Sequence, residues 1–128
     1  MLLEKHLCEN SVDQVCIYFP DPWPNAGRDI GRRVVRHDIL HMISAILRRN
    51  GRLHIVTDSA DYAAHTESVM EQACRCGFWS QLSSVKYEAG VREGGWNTRP
   101  ITKYELKAKS EGRPVWDYVY LYNRSLHA

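Results

Sequence analysis

Apolar positions along the chain fall into two patterns. Val15 to Phe19 and Leu53 to Thr57 are short runs, rich in β-branched and aromatic residues and free of acidic or arginine side chains. Runs of this kind predict strands, here over 13–19 and 53–57, apolar enough to be covered on both faces. Between them Val35, Ile39, Ile43, Ile46 and Leu47 recur at helical spacing, predicting a helix over 34–49. Asn50-Gly51 should end that helix as a left-handed cap. Tyr62, Val69, Met70 and Ala73 form the inward stripe of a second helix, capped by Asp58 or Ser59, running to about Cys76 and closed by Gly77. A strand is expected over 78–87. Residues 88–100 hold three glycines and read as a long loop, of a length usually tied to function or disorder. A short segment over 101–110 is helical at its start, and the alternation over 115–122 marks the last strand. Residues 2–9 read as a short helix or the tail of one. Strand, helix, strand, helix and two late strands make an α/β fold: a parallel sheet with a C-terminal antiparallel pair. With 128 residues, one domain is expected, with a core large enough to fold.

Both early strands stop at a carboxylate. The first runs into "CIYFPDPWPN", where Asp21 stands between two prolines and ahead of Trp23. Ligands of open α/β sheets bind beyond the carboxyl ends of the strands. Proline fixes its own backbone and restricts the residue before it, so the Asp21 carboxylate is aimed in advance, which suits a functional group. The plainer reading is a rigid turn with an incidental acid. Trp23 belongs to the core, shields a pocket, or stacks on a base. The second strand stops at Asp58, at the adjacent tip. In Arg99-Pro100-Ile101-Thr102-Lys103-Tyr104-Glu105, one helical turn puts Thr102 and Glu105 on the same side. That spacing is a capping box, a pair presented to a ligand, or both.

Charge adds a local feature. The net charge is only +2, yet 12 of the 17 basic residues are arginine, the residue suited to bidentate phosphate contacts. Arg28, Arg32, Arg33 and Arg36 form one cluster and Arg48, Arg49 and Arg52 another, which gives either a basic face or a solvated helix surface. Cys8, Cys16, Cys74 and Cys76 match no zinc pattern and read as free thiols in a reducing cytoplasm. His37 and His41 are spaced to share a metal but lack a third ligand, so no metal site is expected. No signal peptide and no apolar run of membrane-spanning length are present.

Four segments, "FPDPWPNAGRDIGRR", "GRLHIVTDSADYA", "RPITKYE" and "VWDYVY", together resemble the successive signatures of the bacterial-type tRNA (guanine-N7-)-methyltransferases, from about Val12 to Tyr122. The resemblance implies a Rossmann-like class I methyltransferase sheet. It also implies methyl transfer from S-adenosylmethionine to guanine N7 in the tRNA variable loop. Asp21 matches the acid at the junction of cofactor and substrate, the best catalytic candidate. Asn25, Asp58, Thr102 and Glu105 match substrate-binding positions, with Tyr104 replacing a phenylalanine. Arg32 and Arg33 match a basic loop that should meet RNA phosphates. Guanine N7 carries a free lone pair and needs no general base. Ionised carboxylates accept hydrogen bonds, and the Watson–Crick edge of guanine donates them, so Asp58 and Glu105 suit that edge. Asp21 would stabilise the developing positive charge on a base turned out of its stack.

The chain departs from the family pattern in two ways. Asn25 stands where the family usually has lysine, and Gly31 where it has a basic residue. More important, no G-x-G-x-G occurs anywhere. The chain therefore reads as one partial domain over 1–128: the C-terminal, substrate-binding half, without most of the cofactor bed. The strand over 13–19 then becomes an exposed edge that invites pairing, with a second copy or with a separate cofactor-binding half, or else leaves the chain poorly soluble. The competing expectation is a non-catalytic RNA-binding module that keeps only the guanine pocket.

Overall fold

The computed structural model of the chain describes residues 11–23, 30–89 and 102–123. The expected helix over 2–9, Asn25, Arg28 and most of the 88–100 loop lie outside these residues. Among these residues four strands form one mixed sheet: β1 (Val12–Tyr18), β2 (Leu47–Thr57), β3 (Trp79–Glu88) and β4 (Pro114–Tyr122). Their order is β1-β2-β4-β3. β1 and β2 are parallel, with Tyr18 beside Val56. β4 inserts between β2 and β3, antiparallel to both. A parallel pair needs a crossover, which α1 (His37–Ile46) supplies; α2 (Ala60–Arg75) links β2 to β3, and α3 (Lys103–Ser110) precedes β4. The α/β expectation, with a parallel start and an antiparallel end, matches this arrangement.

Alternation along the strands separates two apolar layers. Leu53 and Ile55 of β2 and Tyr118 and Tyr120 of β4 pack with Ile39, Leu40 and Ile43 of α1 and Tyr62 and Met70 of α2. Val56, Tyr87 and Val115 pack with Ala108 of α3. α2 starts as its sequence dictates: the Ser59 hydroxyl accepts from the Tyr62 N–H at 3.2 Å, an N-cap worth about 1 kcal/mol. It ends at a left-handed Gly77, φ 87°.

Two sequence expectations need correction. The first helix is shorter at both ends. The Val35 N–H donates to the Tyr62 hydroxyl at 3.0 Å and its carbonyl bonds His65 Nε2 at 2.6 Å, and Arg36 is extended at φ -155° and ψ 163°, so α1 starts at His37. At its other end Leu47 is already extended, at ψ 140°. Asn50 is left-handed, φ 64°, as its dipeptide required, but it sits within β2. Val12 pairs with Leu47 and Gln14 with Arg52, so the intervening β2 segment bulges. Gly51 is needed there, since a Cβ would lie 2.8 Å from the Arg48 carbonyl oxygen and 2.9 Å from Leu47 Cδ2. Secondly, β1 is not covered on both faces. None of its seven residues is buried, because among the described residues it pairs with β2 alone.

Candidate functional site

The parallel pairing of β1 with β2 puts the two acids at the same edge of the sheet. Backbone pairing continues one residue past β1, where the Phe19 N–H donates to the Val56 carbonyl at 2.7 Å. The chain then turns sharply. Phe19 (φ 49°) and Trp23 (φ 43°) both take left-handed backbone, uncommon and strained for bulky residues. Asp21 lies between them, exposed, and its Oδ1 accepts from the Trp23 N–H at 3.3 Å. The turn reading of Pro-Asp-Pro is therefore met, and the second carboxylate oxygen has no partner among the described residues.

Asp58 caps the tip of β2. Both bonds from Arg113 fall on one oxygen: Nε and Nη2 lie 3.1 and 2.7 Å from Oδ2. Oδ1 has no partner among the described residues. The pair is half-buried beside an open cavity of about 500 Å³, lined by Pro22, Asp58, Ser59, Arg113 and Trp116. Pro22 follows Asp21 directly, so one hollow is bordered by the residues at both tips. Arg113 also pairs with Glu111. It escaped the sequence reading, because nothing in Gly112-Arg113-Pro114 announces a partner 55 residues upstream.

Thr102 and Glu105 form the first turn of α3. The Thr102 hydroxyl accepts from the Glu105 N–H at 3.3 Å, which makes Thr102 the N-cap of α3. Glu105 is 0% exposed and does not line the hollow beside Asp58. Its helix packs Ala108 onto Val56, Tyr87 and Val115. Tyr104 stacks on Phe19, ring centroids 6.2 Å apart, which fastens α3 to the Asp21 turn.

The two arginines of the expected phosphate loop part company. Arg32 is exposed and sits over the Trp23 ring, 4.8 Å from its centroid. Arg33 is only 2% exposed; it bonds the carbonyls of Pro22 and Trp23 and pairs with Asp61. A buried guanidinium with these partners does not face solvent, so the expectation that Arg33 meets RNA phosphate is not met here. Arg48 pairs with Asp13 at 3.2 Å, at the opposite end of β2, so the second arginine cluster is remote from the strand tips. His37 Nε2 lies 2.9 Å from Gln72 Oε1.

A buried polar chain also went unread in the sequence. His54 Nε2 lies 2.6 Å from Asp117 Oδ1, and its Nδ1 is 2.8 Å from the Tyr18 hydroxyl. Asp117 Oδ2 accepts from the Tyr87 hydroxyl at 3.1 Å. The carboxylate only accepts, so Nε2 donates to Asp117 Oδ1. One residue from each strand takes part, so the chain ties the whole sheet together under the α3 layer.

A family model described as "Putative methyltransferase" matches residues 1–118. The chain belongs to this methyltransferase family. It is similar to proteins named tRNA (guanine-N(7)-)-methyltransferase: 33% identical over 120 residues to that of Legionella pneumophila strain Lens, covering 94% of this chain and 50% of the relative. It is 34% identical over 116 residues to that of Pseudomonas entomophila strain L48, covering 91% and 45%. The chain thus spans about half the length of the curated relatives it matches. Among solved structures it is similar to a "Putative DNA Modification Methylase" from Thermus thermophilus, with TM-score 0.53, 16% identity, and 95% of this chain against 50% of that one. A structure of the same protein complexed with S-adenosyl-L-methionine matches with TM-score 0.50 and 16% identity, covering 95% and 51%. At that identity the likeness shows the fold: the sheet is of the Rossmann-like methyltransferase kind. Among the described residues, no helix is long and apolar enough to cross a membrane.

Proposed function

We propose that this chain is the base-recognising half of an enzyme that methylates guanine N7 in the variable loop of tRNA, with S-adenosylmethionine as methyl donor. The observation that carries the reading is the pair of strand-tip acids. Asp21 and Asp58 stand at one edge of the sheet, each with an oxygen without a partner among the described residues, and the hollow beside Asp58 begins at Pro22. The names of the curated relatives support the same activity.

The chemistry asked of these residues is modest. N7 is nucleophilic without proton removal, so the protein has to seat the ring and tolerate its new charge. Asp58 Oδ1 can accept an N–H from the Watson–Crick edge while Arg113 keeps Oδ2 occupied and the carboxylate oriented. Asp21, exposed and fixed, places negative charge where the purine becomes cationic, and such preorganised charge is worth about 10²–10³ in rate. Arg32 over Trp23 offers cation and ring to the RNA backbone. Thr102 and Glu105 enter the proposal as the turn that seats α3 against Phe19, and Asn25 as a further substrate contact.

The cofactor would supply an electrophilic methyl on a sulfonium. The described residues fit one side of that group only. Asp21 is available, but the sequence has no G-x-G-x-G turn and β1 pairs with β2 alone among the described residues. The rest of the bed is assigned to a cofactor-binding half that adds a strand along the outer edge of β1. Labelled methyl transfer to a tRNA transcript, measured with and without that half from the Legionella relative, tests this. Label only when both are present supports the proposal. tRNA binding with no transfer in either case would instead leave an RNA-binding module.

A further inference from the structure

We propose that Arg33 is a positioning residue that fixes where the Asp21 carboxylate points and how far it stands from Asp58. This deepens the proposed function and rests on its reading of Asp21 as the base-facing acid. Arg33 follows the turn by ten or so residues in sequence yet lies beneath it. Its Nε donates to the Pro22 carbonyl at 2.9 Å and its Nη2 to the Trp23 carbonyl at 3.3 Å. Those carbonyls belong to the two residues immediately after Asp21. The guanidinium is in turn held by α2: it pairs with Asp61 and lies 5.7 Å from the centroid of the Tyr62 ring.

Three facts make this more than an anchor for a loop. First, Trp23 is left-handed, at φ 43°, a backbone state that persists only when its surroundings impose it. The Arg33 bond to its carbonyl is such an imposition. Second, the Trp23 N–H is the group that holds Asp21 Oδ1, so a Trp23 peptide that relaxes releases the acid. Third, Asp61 lies in the first turn of α2, just after Asp58. Arg33 therefore joins the turn that follows β1 to the turn that follows β2, and sets the spacing of the two acids. A planar fork reaches two carbonyls and a carboxylate at once; the point charge of lysine does not.

The test compares wild-type chain with Arg33→Lys and Arg33→Gln. The first readout is the pH titration of the Trp23 backbone amide by ¹⁵N-resolved NMR, which follows Asp21 through the bond to Oδ1. The wild-type amide should titrate with the carboxylate. In Arg33→Lys that response should vanish while the amides of the β2–β4 core keep their positions. The second readout is tRNA affinity against salt, where both variants should keep the wild-type slope. A Trp23 titration that survives in Arg33→Lys overturns the proposal. So does a salt slope reduced by about 0.7–0.9, the mark of one lost phosphate contact. Should Arg33→Gln fail to fold, Arg33→Lys still decides, because it keeps the charge opposite Asp61. If the wild-type chain binds no tRNA, the proposed function fails, and the amide titration still judges the clamp on its own.

Discussion

Asp58 and Asp117 show how differently two acids of one sheet can be used. Asp58 is shared between one arginine and an open hollow. Asp117 is 3% exposed and His54 is also 3% exposed, and each satisfies the other at 2.6 Å. Removing the imidazole leaves a buried carboxylate short of one donor, at a cost of about 1–3 kcal/mol. His54→Ala should therefore lower stability by that order in urea denaturation, with little change at the strand tips; a loss under about 1 kcal/mol would mean that Asp117 finds water or another partner. Residues of this kind were not legible in the sequence. Asp21 was, because the prolines on either side declared its rigidity locally. Arg113 and His54 were not, nor were the buried settings of Arg33 and Glu105, because these depend on partners brought by the fold, 11 residues away for Arg33 and Pro22 and 63 for His54 and Asp117.

At the level of elements, local signals worked wherever a cap or an apolar run acted alone. Ser59, Gly77 and Thr102 did what their residue types favour. The boundary between α1 and β2 was misread because Asn50-Gly51 satisfies two structures equally well. A left-handed residue ends a helix or makes a bulge, and only the pairing of Leu47 with Val12 selects the bulge. Gly51 gives this a direct check. Alanine there meets the Arg48 carbonyl oxygen at 2.8 Å, a backbone atom that cannot swing aside, so overpacking should cost about 1–3 kcal/mol. Thermal unfolding of Gly51→Ala reads the cost. A neutral result would show that the bulge tolerates a side chain and that its geometry is not fixed by close approach.

The whole molecule carries two further consequences. Burial pushes the phenols of Tyr62, Tyr118 and Tyr120 above the ordinary tyrosine value. As pH rises, the unfolded chain then loses these protons first. The stability they provide is present in full below about pH 10 and is lost as pH climbs past it. Urea midpoints should fall on the alkaline side of that value, and Tyr62→Phe should blunt the fall; an alkaline midpoint that holds or rises contradicts the sign. The other consequence concerns the edge of the sheet. β1 has Val15 and Ile17 only half-buried against the core, and an apolar edge strand recruits a neighbour. Size-exclusion chromatography should show self-association of the chain alone, relieved by adding the cofactor-binding half. A well-behaved monomer would show that the edge needs no partner.

We propose that Asp21 and Asp58 together present one guanine for attack by its own N7. The most direct measurement is labelled methyl transfer to tRNA transcripts made with guanine or with 7-deazaguanine, by the chain completed with a cofactor-binding half. Label should enter the guanine transcript, be absent from the 7-deazaguanine transcript, and drop by about 10²–10³ in rate for Asp21→Asn. Undiminished transfer to the 7-deazaguanine transcript, or a wild-type rate in Asp21→Asn, would contradict the account.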